Sequence, residues 1–279
     1  MFVSRRVLCV PTEVGRTHAF LQSSLGPFIG ASRVALFGSS VTGLWTDSSD
    51  VDVTCVIRGC STKSRIITRL RVISDFLQMH QFSLVSPIVM NARVPVLKMH
   101  SGTHEWDFSI NNISGIENSQ LVLAWCSMDP LFRPAALRIK AWAAARRIND
   151  RATGTLSTYT LWLQLVYVFQ TMKIFPVFPP VVQSDPPFDE LAGIERPLPF
   201  TLQPALPHTF SCDDVLRVFF ETFVNLPDGA EIANGVCIAP SQTKTLVMRC
   251  PLTGKDVNTM NSATWRQIHA EFLAAANFT

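Results

Sequence analysis

The chain has 279 residues, 47% of them hydrophobic and 16% charged, which supports one or two packed domains and excludes a disordered chain. No apolar stretch is long enough to cross a bilayer, the best being Leu161 to Phe169, interrupted by Gln164. The formal net charge of +3 suits a polyanionic partner without demanding one.

Residues 1–30 read as a helical segment with Phe20, Leu21 and Leu25 on one face, ended by Gly26-Pro27. Arg5, Arg6 and Arg16, with no acid before Glu13, are compatible with a short organellar presequence, but the segment runs straight into folded-looking sequence. An apolar strand from Val34 to Phe37 follows and stops at Gly38-Ser39. Gly38 permits close backbone approach, and Ser39 offers a hydroxyl and an N–H to a phosphate oxygen. After a polar turn at Thr46 to Ser49, Asp50-Val51-Asp52-Val53 opens a second strand. Side chains alternate along a strand, so Asp50 and Asp52 share one face while Val51, Val53 and Cys55 take the other. Paired carboxylates on a rigid strand repel each other unless a cation joins them, and oxygen ligands suit Mg²⁺ or Mn²⁺.

Ser61 to Gln81 is predicted to be an amphipathic helix with Ile66, Leu70, Ile73 and Leu77 inward. Phe82 to Met90 and Val94 to Met99 read as strands, and Glu105 to Ile110 alternates cleanly. Trp106, Phe108 and Ile110 belong to the core face of that last strand, and Glu105, Asp107 and Ser109 to the other. Asp107 supplies the third carboxylate that a two-metal site needs.

From Asn118 the period is helical. Ser119 to Trp125 is predicted as a short helix capped by Asn118 or Ser119, and Leu131 to Ile148 as a longer one with Leu137, Trp142 and Ile148 inward. The hydroxyl cluster Gly154 to Tyr159 precedes an apolar helix and is either a capping device or an anion site. Phe175 to Pro207 holds nine prolines and reads as an extended surface segment anchored by Phe178, Phe188, Leu191 and Phe200. A helix from Cys212 to Leu226, two short apolar runs at Val236–Ala239 and Thr245–Met248, and a last helix capped by Ser262 complete the chain. That last helix places Trp265, Ile268, Phe272 and Leu273 inward. The seven cysteines are scattered and form no C-x-x-C pair, which fits reduced thiols in an intracellular protein. His100 and His104 flank Gly102 and lack partner ligands for zinc.

FGSS, DVDV, ARVPVLK (Ala92 to Lys98), WDFSINN, Asn118-Ser119, LRIKAW and GTLSTYT occur in this order. The run resembles the poly(A)-polymerase-like terminal nucleotidyltransferases of the polymerase-beta-like superfamily, in particular the terminal uridylyltransferases. The resemblance implies an α+β, bilobed fold: an α/β nucleotidyltransferase lobe over residues 31–117 packed on a mostly helical lobe, residues 118–279, with an active-site cleft between them. Residues 1–30 are expected on the helical lobe. It further implies template-independent addition of UMP from UTP to a single-stranded RNA 3′ end, with two Mg²⁺ or Mn²⁺ ions held by Asp50, Asp52 and Asp107. Gly38, Ser39, Asn118, Ser119, Lys140, Thr158 and Tyr159 match nucleotide-binding positions, Tyr159 being the aromatic that stacks on the base. Ala144 stands where the family often has a second basic residue. Arg249-Cys250-Pro251 stands where it has a Glu-Asp-Pro-type motif, without those acids. The alternatives are an adenylyltransferase or nucleotide-relaxed enzyme, and a catalytically retired RNA- or protein-binding module. The small, weakly basic chain suggests a protein partner that supplies RNA affinity. The expected compartment is the cytoplasm, with the mitochondrion as the alternative.

Overall fold

The computed structural model describes residues 10–92, 94–178, 203–233, 235–238, 245–258 and 260–277. They divide into two compact units at Leu123/Ala124. No helix among the described residues is long and apolar enough to cross a membrane.

The first unit is a mixed sheet with helices. Its elements are α1 (Thr12–Phe20), a π-helical turn (Leu21–Leu25), α2 (Gly26–Ile29), β1 (Arg33–Phe37), α3 (Ser39–Thr42), β2 (Val51–Val56), α4 (Lys63–Gln78), β3 (Ser83–Leu84), β4 (Leu97–Ser101), β5 (His104–Ile110) and the start of α5 (Ile113–Met128). The strand order is β1-β2-β5-β4-β3. Only β2 and β5 run parallel, and they place Asp52 opposite Asp107. The core joins Val51, Val53 and Cys55 of β2 to Trp106, Phe108 and Ile110 of β5, and to Ile66, Leu70, Ile73 and Leu77 of α4, as the predicted alternation and helical period require.

Several boundaries differ from the sequence expectation. Gly26-Pro27 does not end the first helical segment: Pro27 sits in the first turn of α2, where no N–H is needed, and the chain leaves the helix at Gly30 with φ 68°. This segment, expected on the helical lobe, belongs to the first unit: Val14, Leu21, Leu25 and Ile29 are in the same core as β2 and β5. It also closes the outer edge of β1, since Gln22 Oε1 accepts from Val34 N–H at 2.9 Å and His18 Nε2 lies 2.9 Å from Val34 O. The predicted strand at Phe82–Met90 shortens to β3, with Ser86-Pro87 interrupting it and a lone bridge joining Val89 to Val96. Helix α5 begins six residues before Ser119. Asn112 Oδ1, rather than Asn118 or Ser119, accepts from an early N–H, that of Gly115, at 3.1 Å.

The second unit contains the end of α5, α6 (Phe132–Ala145), α7 (Thr158–Thr171), α8 (Cys212–Val224), β6 (Glu231–Ala233), β7 (Val236–Ile238), β8 (Val247–Met248) and α9 (Ser262–Ala276). Strand β6, which the sequence reading missed for its shortness, is central to a three-stranded sheet ordered β7-β6-β8. Aromatic contacts join the helices: Trp142 meets Phe220 and Phe272 at ring-centroid distances of 4.9 and 5.0 Å, and Phe132 meets Phe169 at 5.3 Å. Leu137 is only half-buried, whereas Ile148 is buried as predicted. Asn261, not Ser262, caps α9 in a reciprocal box with Thr264, and Leu273 is exposed. In the proline-rich stretch Phe178 is buried, while Phe188, Leu191 and Phe200 lie outside the described residues.

Asn111 ties the ends of the two central strands together. It adopts φ 52°, accepts from Ile57 N–H at 2.8 Å, and donates to the carbonyls of Ile57 and Cys60 at 2.9 Å each. Asn111→Ala leaves these buried groups unpaired in a conformation alanine resists, and is expected to cost about 3 kcal/mol or more. A lowered urea midpoint with unchanged m-value is the measurement that checks it.

Candidate active site

Parallel pairing of β2 with β5 aligns Val51 with Trp106, Asp52 with Asp107 and Val53 with Phe108. The apolar partners face the core, so the aspartates share the opposite face at adjacent strand positions. Asp50 lies just before β2 and is exposed. Carboxylate oxygens of Asp50, Glu105 and Asp107 all come within 4.8 Å of one another.

Two features of this cluster differ from the expected Asp50–Asp52–Asp107 triad. Glu105 joins it, two residues before Asp107 on the same strand face, a placement that the β5 alternation already implied. Asp52 stands outside the tight group and over Gly38, where an added Cβ would lie 2.1 Å from its Oδ2. Gly38 also has φ 67° and ψ −145°, backbone that side chains other than hydrogen resist. Two independent constraints therefore demand glycine there.

Lys98 on β4 supplies the local cation. Its Nζ lies 2.5 Å from Glu105 Oε1 and 3.2 Å from Asp107 Oδ1. Burial works against the Lys98 ammonium, but the bonds to Glu105 and Asp107 outweigh it and raise its pKa. Asp107 moves from the ordinary 3.8 up to about 6, chiefly because burial penalises its charge. Lys98 pulls it down, and Asp50 and Glu105 push it up. The donor set is all carboxylate oxygen, which fits a hard divalent cation such as Mg²⁺ or Mn²⁺.

Ser119 has a structural task. Its Oγ donates to Gly115 O at 2.6 Å and accepts from Gly38 N–H at 2.7 Å, and the residue is buried. It thus braces the Gly38 turn against α5, so any influence it has on a nucleotide runs through Gly38. Ser39 makes no hydrogen bond among the described residues, and its half-buried hydroxyl remains uncommitted. Asn118 lies in the second turn of α5.

The other predicted contacts belong to the second unit. Lys140 is a half-buried residue of α6. At the start of α7 the capping reading holds for Ser157: its Oγ accepts from Thr160 N–H at 3.0 Å. Thr158 follows with its hydroxyl unbonded among the described residues, next to the N–H groups that open a 14-residue helix. The Tyr159 hydroxyl lies 3.4 Å from Cys250 Sγ.

Residues 13–127 match the family described as poly(A) RNA polymerase, mitochondrial-like, central palm domain. Over these residues the chain is therefore similar to the poly(A)-polymerase-like nucleotidyltransferases. Among curated relatives, poly(A) RNA polymerase GLD2-B of Xenopus laevis is 34% identical over 176 residues, covering 61% of this chain and 34% of that protein. Human poly(A) RNA polymerase GLD2 is 33% identical over 190 residues, covering 61% and 39%. The chain thus aligns with little more than a third of the length of these relatives. Fold likeness extends further: a structure of Cid1, described as an RNA terminal uridylyl transferase, superposes with TM-score 0.70 at 20% identity over 95% of this chain and 87% of that one. A structure of mtPAP in complex with GTP gives TM-score 0.74 at 18% identity over 93% and 62%. The palm match contains Gly38, Ser39, Asp50, Asp52, Asp107, Asn118 and Ser119, as well as Lys98 and Glu105.

The raised Asp107 pKa has a measurable sign. A carboxyl whose pKa is higher in the folded state than in the unfolded chain loses stability as pH rises from 3.8 through about 6. In the metal-free protein, Asp107→Asn should therefore be more stable than wild type at pH 8, on the order of 3 kcal/mol, with the gap narrowing toward pH 5. Urea unfolding in chelator at the two pH values checks it. Gly38→Ala should destabilise the first unit by about 2 kcal/mol or more, because both the turn and Asp52 must move. A lowered urea midpoint, with the native circular dichroism spectrum retained, is the readout.

Proposed function

We propose that this chain transfers nucleoside monophosphates from a triphosphate to an RNA 3′ end without a template. The observation that carries the reading is the carboxylate cluster at the ends of β2 and β5, set on a palm that is similar to this family. Asp50, Asp52 and Asp107 would hold the divalent ions, with Glu105 beside them. Such ions, when bound, activate an attacking oxygen and neutralise charge on the transferring phosphate. Asp107, with its pKa near neutrality, is suited to accept the proton of the 3′-hydroxyl. Lys98 balances Glu105 and Asp107, and keeps the cluster from repelling itself apart. Ser39 is assigned to a phosphate oxygen. Lys140 and the Thr158 hydroxyl are assigned to the triphosphate, and Tyr159 to the base.

For the base, adenylate is the first reading. The curated relatives at 33–34% identity are named poly(A) RNA polymerases. Uridylate, expected from Asn118, Ser119 and Tyr159, is the second reading. It loses support from Ser119, whose hydroxyl is engaged by Gly115 and Gly38. A nucleotide-relaxed enzyme is favoured by the turn at Cys250-Pro251, which carries no carboxylate. A protein partner that supplies RNA affinity remains part of the proposal, in keeping with a net charge of only +3.

The deciding experiment is extension of a short single-stranded RNA by the purified chain with Mg²⁺ or Mn²⁺ and each ribonucleoside triphosphate separately. ATP should be the preferred substrate. Asp50→Ala and Asp107→Ala should each lower kcat by about a thousandfold or more while the protein stays folded. Near-normal extension by either variant would overturn the metal assignment. Triphosphate binding without extension of any primer would favour the retired binding module.

A further inference from the structure

Tyr159 is partly exposed, yet its hydroxyl end is buried against Cys250 at 3.4 Å from Sγ. Cys250 is a fixed point. It is only 3% exposed. Its N–H donates to Lys255 O at 2.9 Å, and its carbonyl accepts from Gly254 N–H at 2.8 Å and Thr253 N–H at 3.3 Å. The turn is anchored in turn by Arg249, whose Nε reaches Glu231 Oε1 on β6 at 2.6 Å and whose Nη1 donates to Gly254 O at 3.3 Å. The sulfur is thus held by backbone bonds and by an ion pair to the central strand of the small sheet.

A tyrosine has two side-chain rotations. With the first turn of α7 holding its backbone and the thiol holding its hydroxyl, both ends of the phenol are set and the ring plane follows. The hydroxyl is the only hydrogen-bonding group on that ring, and it is engaged inside the protein. Burial, reinforced by the Cys250 contact, raises its pKa well above the ordinary value and keeps it a neutral phenol. What remains for a ligand is the aromatic face, which every nucleobase can match.

We infer that Cys250 is the positioning residue for Tyr159: its thiol ties the phenol into the protein, so that Tyr159 meets a nucleobase with its face and offers no base-reading edge. The inference rests on the assignment of Tyr159 to the base made above. It gives Cys250, in the turn where acids were expected, a task directed at ring orientation rather than base recognition. Selectivity among the four bases must then come from other residues.

The test measures KM and kcat for ATP and UTP separately, and triphosphate affinity by calorimetric titration, on the full chain. Cys250→Ala and Tyr159→Phe should each raise KM by about three- to tenfold, by the same factor for both nucleotides, with kcat within about twofold of wild type. The double variant should be no worse than either single variant, because both remove the same bond. Cys250→Ser, which restores a donor and acceptor, should recover most of the loss. Additive losses, or a change confined to one nucleotide, would overturn the inference. Should Cys250→Ala fail to fold, Tyr159→Phe still decides, since it leaves the turn intact and must shift KM equally for both nucleotides. Tyr159→Ala with unchanged triphosphate affinity would instead overturn the placing of Tyr159 at the base. A full effect of Tyr159→Ala with none from Cys250→Ala would overturn the positioning role alone.

Discussion

The crowding of carboxylates on β2 and β5 is the constraint that the first unit is built around. Parallel pairing places Asp52 directly opposite Asp107, and Glu105 follows on the same face of β5. Strands cannot relax this repulsion by drifting apart, because their other faces are committed to the core through Val51, Val53, Trp106 and Phe108. A one-residue slip of either strand would turn its own pair of these side chains away from the core. The cost is met locally by Lys98, which the antiparallel β4–β5 pairing sets opposite Asp107. A site preloaded with repulsion, in which the Lys98 ammonium offsets Glu105 and Asp107, is chemically ready for a stronger cation.

The neighbouring turn repeats the same logic with backbone instead of charge. Gly38 occupies conformational space reserved for glycine, and the Asp52 carboxylate lies where a Cβ would go. Ser119 then holds that turn through a hydrogen bond from Gly38 N–H, linking a strand end to a helix 81 residues later. Phe37, beside Gly38, approaches so near to α5 that a Cβ on Gly115 would lie 2.8 Å from its ring. Gly38 and Gly115 are therefore required for different reasons: Gly38 makes room for the Asp52 carboxylate, and Gly115 lets the strand end meet the helix without an intervening side chain.

In the second unit, the polar groups at the start of α7 divide by role. Ser157 is spent on capping, Thr158 is left with an uncommitted hydroxyl, and Tyr159 is tied to Cys250. Two short strands, β6 and β8, serve to hold the turn that carries Cys250. Small elements of this kind carry too few residues to show a period, which is why β6 escapes a reading of the sequence while α4, α7 and α8 do not.

The chain alone was enough for the elements whose burial pattern is local. The alternation of β2 and β5, the inward face of α4 and the apolar face of α8 followed from periods of 2 and 3.6, and the spacing of Gly38-Ser39, Asp50, Asp52 and Asp107 pointed to the acidic face on which the proposed chemistry rests. Pattern failed where a long-range partner overrode a local signal. Pro27 entered a helix because the chain already ran into it from a π-turn. Asn118-Ser119 looked like a cap but lies within α5, since Asn112 had opened the helix earlier. Tertiary structure alone decided that Asp50 comes within reach of Glu105 and Asp107, that Lys98 faces them, that Asp52 stands over Gly38, and that Cys250 reaches Tyr159. Each of these depends on which strand or turn lies beside which. Residue types along the chain state what a side chain is able to do, but only pairing and packing bring its partner within bonding distance.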